Sequence, residues 1–146
     1  MCTSRHHPPL RAVADILEQE GVDLILSGMH HSYQRSKPLS FKPNAALIGA
    51  VKSYDIPVPG QFRLDQEFDG GRKTRPRGLI QIVTGNGGAG LLNPEQTDRP
   101  ESWQPFTEKY IANVHGFTVV DVRGSSLEVK HISAEGKVLD RFAVTR

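Results

Sequence analysis

Two adjacent imidazoles, His30 and His31, are the side chains of this sequence best placed to do chemistry. They come directly after Ser27 and Gly28, where a short apolar run at residues 22–26 ends abruptly. A run of this kind is typical of a strand covered on both faces, because a half-exposed strand would alternate apolar and polar residues. In open α/β sheets, ligands bind in the crevice beyond the carboxyl ends of the strands. The position of the two histidines therefore predicts a metal or phosphate site.

Residues 28–35 read Gly-Met-His-His-Ser-Tyr-Gln-Arg and resemble the Gly-His-x-His-x-Tyr-x-Arg block of calcineurin-like metallophosphoesterases, in particular their purple acid phosphatase-like branch. In that family both histidines of the block bind a two-metal centre, one to each ion. The resemblance implies that His31 is the second ligand and that Met29 occupies the position of the first. A thioether is a poor ligand for the iron, zinc or manganese ions of such centres. His30 stands at the variable position of the block, to which the resemblance assigns no ligand role, and its side chain could also point toward the metal ions.

The same resemblance implies a cleft role, or a structural role near the site, for several further residues. These are Gly28, Met29, Tyr33, Arg35 and Asn86.

His6 and His7 stand just before a predicted helix. By the resemblance, they match the second histidine cluster of the branch, which contacts the phosphate group, and this would make them catalytic. The alternative is a solvated pair near a frayed terminus. The sequence leaves both interpretations open.

Composition limits the class of protein and its partners. The 146 residues are the size of one domain, and 37% apolar residues with 14 glycines and 10 prolines indicate a real core with many loops. A net charge of +2 does not favour nucleic acid or an anionic membrane as a partner. A single cysteine, Cys2, excludes an internal disulfide.

The first elements predicted along the chain are a helix and a strand. Apolar residues recur at helical spacing from Leu10 to Leu17 after two prolines, and Gly21 is placed to end the helix as its C′ residue. With the apolar run at residues 22–26, this helix would form half of an α/β crossover. From Ser36 to Arg77, prolines break up the pattern, with predicted short elements at residues 45–51 and 61–68 and a turn at residues 69–71.

Residues 78–84 form the second predicted strand, and the glycine-rich segment 85–90 follows it. The glycines satisfy Gly-x-Gly-x-x-Gly, but a dinucleotide site would need a helix next, and the proline-containing segment that follows does not supply one. We expect instead a backbone turn that needs positive φ. The resembling family has a matching glycine-rich turn near its cleft.

The chain ends in a predicted β meander with strands at residues 117–122, 126–132 and 138–144. Alternation in the last strand indicates one solvent-facing side. His131, on the middle strand, is interpreted as a surface or satisfied histidine, and His115 as a candidate for the cleft.

Taken together, the predicted fold class is α/β: the C-terminal half of a metallophosphoesterase β-sandwich flanked by helices (α/β/β/α), ending in an antiparallel β meander. The family's Asp-x-His, Gly-Asp-x-x-Asp and Gly-Asn-His-Asp/Glu blocks are absent from the 146 residues. The resemblance therefore implies a single truncated domain, residues 1–146, whose missing N-terminal half supplies most ligands.

The function implied by the resemblance is hydrolysis of small-molecule phosphate esters by a centre of two divalent or trivalent ions (iron, zinc or manganese) in the complete domain. We expect this chain alone to bind metal weakly or not at all and to be inactive. The alternative is a degenerate, non-catalytic binding or interaction module that keeps the fold.

Overall fold

The computed structural model describes residues 11–44 and 58–146 of this β-rich chain. Its elements are α1 (Ala14–Gln19), β1 (Leu24–Ser27), β2 (Tyr33–Ser36), β3 (Leu39–Pro43), β4 (Gly60–Leu64), β5 (Ile80–Thr84), β6 (Thr107–Ile111), β7 (Gly116–Arg123), β8 (Ser126–Ser133) and β9 (Val138–Thr145), with short 3-10 turns at Pro94–Gln96 and Pro100–Ser102. Within these described ranges, no helix has the length and apolarity needed to cross a bilayer.

Three sheets form from these strands. A four-stranded sheet has the order β1-β5-β2-β6, in which β1 is parallel to β5 and the other pairs are antiparallel. Strands β3 and β4 form a hairpin, and β7, β8 and β9 form the antiparallel meander. The predicted final meander is confirmed.

The end of α1 follows from the sequence. Gly21 has φ 75°, and its N–H donates to the Glu18 carbonyl while the Val22 N–H donates to the Leu17 carbonyl. These two bonds make a Schellman motif, in which glycine takes the left-handed position without steric cost. The prediction of Gly21 as the C′ residue is confirmed.

The prediction that residues 22–26 form a strand covered on both faces is wrong. Strand β1 is at the edge of its sheet, and the Leu26 side chain is 50% exposed. Leu24 packs against one core cluster and Ile25 against the other, so only part of this strand is covered. An apolar run indicates burial in general but does not tell an edge strand from a central one.

The main core lies between the four-stranded sheet and the meander. Its fully buried members come from both sheets and are Tyr33, Ile80, Ile82, Ile111, Val129, Phe142 and Val144. A smaller cluster of Ala14, Phe41, Val58 and Leu79 brings α1 against the hairpin and the start of β5. The described residues therefore form one α-helix, two sheets packed against each other and the small β3–β4 hairpin, and they include no second helical layer.

Several predicted turns and strands can be located. The carboxylate of Asp69 accepts backbone N–H bonds from Gly71, Arg72 and Lys73, which confirms the turn at residues 69–71. Strand β4 is largely exposed and lies in the first part of the predicted element at residues 61–68. The predicted element at residues 45–51 lies outside the described residues.

Candidate active site around His31

The site begins with a tight turn before β2. Met29 has φ 75°, a left-handed conformation that is uncommon for a residue with a side chain, and that side chain is 73% exposed. The His30 N–H donates to the Gly28 carbonyl, and the Ser32 N–H donates to the His30 carbonyl. The turn thus presents its side chains at the end of a buried strand.

His31 is oriented by a backbone carbonyl. Its Nδ1 lies 2.7 Å from the Gly90 oxygen. A carbonyl can only accept, so Nδ1 carries the proton and Nε2 is left as an acceptor. A histidine that donates its other ring N–H to a carbonyl or carboxylate has the tautomer and orientation typical of metal ligands. The Leu92 N–H donates to the His31 carbonyl, which adds a second bond between the two loops.

His30 has the opposite tautomer. Its Nδ1 lies 2.8 Å from Ser32 Oγ and 3.3 Å from the amide nitrogen of Gln34. Since the Gln34 amide nitrogen can only donate, His30 Nδ1 accepts from it and is left without a proton of its own. The ring proton of His30 then lies on Nε2. The two adjacent histidines are chemically distinct, and only His31 has the ligand form.

Tyr33 and Arg35 lie on the same face of β2 and point toward the main core, between the four-stranded sheet and the meander. The Tyr33 hydroxyl donates to Asp140 Oδ2 at 2.8 Å, and Arg35 donates to both Asp140 oxygens, at 2.7 and 3.1 Å. Burial and the neighbouring Asp140 carboxylate raise the pKa of Tyr33 above its ordinary value. The guanidinium also lies 4.6 Å from the centre of the Phe142 ring. These side chains connect β2 to β9.

The glycine-rich segment 85–90 differs from the prediction. None of its glycines has positive φ. Gly85 is required for another reason: a Cβ atom there would lie 2.1 Å from the His30 carbonyl oxygen. The Gly85 N–H donates to the Ser32 carbonyl. Close approach of two backbones, and not a left-handed turn, explains this glycine.

Asn86 is fully buried inside that segment and contacts His131. Its amide nitrogen is 3.0 Å from His131 Nε2 and donates to the Val114 carbonyl at 3.0 Å. Its oxygen Oδ1 has no hydrogen-bond partner in the described part of the chain.

His131 is the satisfied histidine that the sequence analysis proposed, and not a surface one. Its Nδ1 lies 3.1 Å from Thr118 Oγ1, and its ring stacks on Tyr33 with centroids 4.0 Å apart. Burial lowers the pKa of His131 to about 4, so the ring is neutral near pH 7. Asn86 therefore donates to Nε2, and Nδ1–H donates to Thr118.

The structure brings His115 to the same turn as His31. The Nε2 atom of His115 lies 3.1 Å from the carbonyl oxygen of Ala89, the residue before Gly90. His6 and His7 lie outside the described residues. Among the residues that are described, no group of three or more His, Cys, Asp or Glu side chains is arranged to bind a metal ion.

Sequence reasoning missed Asp140, which bonds both Tyr33 and Arg35. A signal was available, because Asp140 shares the parity of Phe142 and Val144 on a strand whose other side is wet. A carboxylate on an apolar face needs a partner of opposite charge. The pairing with two residues more than a hundred positions earlier could not be inferred from spacing.

The chain is similar to known proteins in sequence. Residues 78–141 match the family model for iron/zinc purple acid phosphatase-like protein C. The chain is 25% identical over 146 residues to acid phosphatase type 7 of Mus musculus, a match that covers 96% of this chain and 27% of the mouse protein. The resemblance to the purple acid phosphatase-like branch, in its C-terminal part, is confirmed.

A solved structure gives the same result for the fold. Purple acid phosphatase PPD1 from yellow lupin (Lupinus luteus) seeds is similar with a TM-score of 0.58 and 18% identity, over 92% of this chain and 19% of the lupin chain. At this identity the likeness concerns the fold alone. The chain therefore spans about a quarter or less of the length of these two relatives.

Proposed function

We propose that this chain is the C-terminal part of a metal-dependent phosphoesterase that hydrolyses phosphate esters with a two-metal centre once its domain is complete. The match of residues 78–141 to a purple acid phosphatase-like family supports the class. The observation that carries the proposal is the contact of His31 Nδ1 with the Gly90 carbonyl, which leaves Nε2 as an acceptor at the surface end of β2.

The residues present fit one ligand of such a centre and not the whole of it. His31 has the required tautomer, whereas the described residues supply no further group that completes a shell. In a completed centre, the metal ions would bind phosphate oxygens and lower the pKa of a bound water molecule. The upstream half would contribute the remaining ligands and the second helical layer of an α/β/β/α sandwich.

The roles of the neighbouring histidines follow from their chemistry. His30 accepts a hydrogen bond at Nδ1, so in the proposed site it would not bind metal through that nitrogen. His6 and His7 would bind the phosphate group or protonate the leaving group. His115, whose Nε2 contacts the Ala89 carbonyl, would lie beside the segment 85–90 that also contacts His31.

The test uses this chain fused to the upstream half of a related phosphatase, or expressed from an extended reading frame. Hydrolysis of an aryl phosphate and metal content by mass spectrometry are measured for the fused protein. We expect His31→Ala to lower metal content and turnover by at least about 10- to 100-fold, the loss typical of removing even a supporting partner of a metal ligand. The adjacent His30→Ala is the matched control and should keep its metal.

Two results would contradict the proposal. If the fused protein folds but binds no metal and hydrolyses no phosphate ester, the chain is a non-catalytic module. If His30→Ala loses metal and His31→Ala does not, the assignment of the ligand is wrong and the tautomers have been misassigned.

A further inference from the structure

The segment 85–90 carries the carbonyl that orients His31, and this segment is bonded to its surroundings at several points. The Gly85 N–H donates to the Ser32 carbonyl, and the Asn86 carbonyl accepts from the Gly116 N–H. Two successive carbonyls at the other end, Ala89 and Gly90, contact histidine ring nitrogens. The second half of the segment is held against the histidines, where the Leu92 N–H also donates to the His31 carbonyl, and the first half is held by Ser32 and Gly116.

Asn86 is the side chain that fixes it from within. It is fully buried, and both protons of its amide nitrogen are used, one toward His131 Nε2 and one toward the Val114 carbonyl. No other side chain of the segment 85–90 makes a hydrogen bond that reaches the meander, since the remaining members are glycines and Ala89. Asn86 is thus the one side chain of this segment that contacts β8, beside the backbone bond with Gly116 of β7.

His131 gives that amide a defined partner. The His131 ring stacks on the Tyr33 ring, with the ring centroids 4.0 Å apart. It makes one hydrogen bond at each nitrogen, with Asn86 at Nε2 and with Thr118 Oγ1 at Nδ1. Thr118 Oγ1 in turn lies 2.7 Å from Thr84 Oγ1, at the end of β5. The acceptor Nε2 is thus fixed in place by both sheets and is aimed at Asn86.

We propose that Asn86 and His131 are positioning residues for His31: together they place the Gly90 carbonyl so that it selects the Nδ1–H tautomer of His31. His131 acts through its acceptor nitrogen, and any side chain with an acceptor at that point should substitute for it. The inference rests on the proposed function only in regarding His31 as a metal ligand.

The test is the tautomer of His31, read from the ring nitrogen shifts in histidine nitrogen NMR spectra of the 146-residue chain near pH 7. We expect wild type to have a single Nδ1–H form and Asn86→Ala to have a mixture of tautomers. Thr145→Val is the matched control: it removes a comparable side-chain hydrogen bond of the meander, the one between Thr145 and Thr74, but contacts neither His131 nor the segment, so His31 should remain as in wild type.

Rescue by a conservative variant separates positioning from general packing. His131→Gln keeps an acceptor for Asn86 and should keep the His31 tautomer, whereas His131→Leu fills the space without an acceptor and should lose it. Equal effects of Asn86→Ala and Thr145→Val, or of the glutamine and leucine variants, would overturn the proposal. If one variant of either pair does not fold, the comparison within the other pair decides.

A zinc titration of the same variants in the fused, complete domain distinguishes failure of this inference from failure of the proposed function. We expect the variants that lose the tautomer to bind Zn²⁺ at His31 about tenfold more weakly than wild type. If the tautomer changes as predicted but wild-type His31 does not bind Zn²⁺, the positioning role stands and the metal role of His31 is contradicted.

Discussion

Residues 28–31 and strand β2 are consecutive in the chain, and the two regions differ in exposure and in bonding. In the turn, Met29 is 73% exposed in a left-handed conformation, and the His31 ring is oriented by one carbonyl. In β2, every residue is buried, and Tyr33 and Arg35 share the carboxylate of Asp140. One continuous motif therefore contains an exposed end and an anchored end.

The cause of the difference is the position of β2 in its sheet. The strand lies between β5 and β6, so both of its edges are paired and both of its faces are covered. The turn comes where the sheet ends, and its groups can reach a ligand. Rigid elements that support exposed functional groups at their ends are the usual arrangement of protein sites. The following predictions test how far the two ends are independent.

The largest effect is expected at the anchored end. Asp140→Ala would leave the buried Arg35 guanidinium without its partner, and breaking such a pair from one side costs about 3–5 kcal/mol. Arg141→Ala is the matched control on the same strand, since its ion pair with Glu128 is exposed and should contribute only about 0–1 kcal/mol. Urea unfolding of both variants measures the free energy of unfolding. Equal losses would show that β2 is not anchored by Asp140.

Low pH should destabilise the anchored end of the motif, where His131 stacks on Tyr33. His131 has a folded pKa of about 4, so the unfolded chain, with an ordinary pKa of about 6.5, binds the proton first as the pH falls. The neutral His131 ring contributes about 3 kcal/mol to the free energy of unfolding. This contribution is complete above about pH 6.5 and is lost as the pH falls to about 4. The exposed Asp69 is different: backbone N–H groups of Lys73 and Gly71 lower its pKa, so its contribution is lost only below about pH 4.

Urea unfolding at a series of pH values from 7 to 4 measures this effect, and His131→Gln should remove the slope within that window. A wild-type free energy of unfolding that stays constant from pH 7 to pH 4 would contradict the buried, neutral state of His131.

A smaller effect is expected where the two loops meet. In Gly85→Ala the new methyl group would meet the His30 carbonyl at 2.1 Å, and a backbone atom cannot move aside cheaply. We expect a loss of about 1–3 kcal/mol and a changed His31 tautomer. Gly88→Ala has open space at the Cβ position and no positive φ, so stability should stay within about 0.5 kcal/mol. Denaturant unfolding and histidine NMR spectra measure the two quantities.

The smallest effect concerns Met29 at the exposed end. In the fused, complete domain, Met29→His would supply the imidazole that the resembling family has at this position, and it should raise metal content and turnover by at least about tenfold. The side chain is 73% exposed, and histidine tolerates left-handed φ better than most residues, so the fold should not change. Met29→Leu is the control without a ligand. If the Met29 form already binds two ions and Met29→His changes neither quantity, the alignment of this block is wrong.

Local patterns in the sequence were sufficient for the elements whose causes are local. The C′ glycine of α1 and the three meander strands follow from turn residues and alternation over a few positions, and each is confirmed. The predicted burial of residues 22–26 was wrong because burial of a strand depends on its neighbours in the sheet, which the strand's own residues do not encode.

The sequence by itself determined the motif at residues 28–35, its resemblance to the phosphatase branch and the chemical types available there. Only the tertiary structure decided which histidine has the ligand tautomer, because that depends on the Gly90 carbonyl, 59 residues away along the chain. It also decided that Tyr33 and Arg35 act as anchors, since their partner Asp140 lies on another sheet. A hydrogen bond requires an approach within about 3 Å, and such distances between remote residues are set by packing and not by spacing.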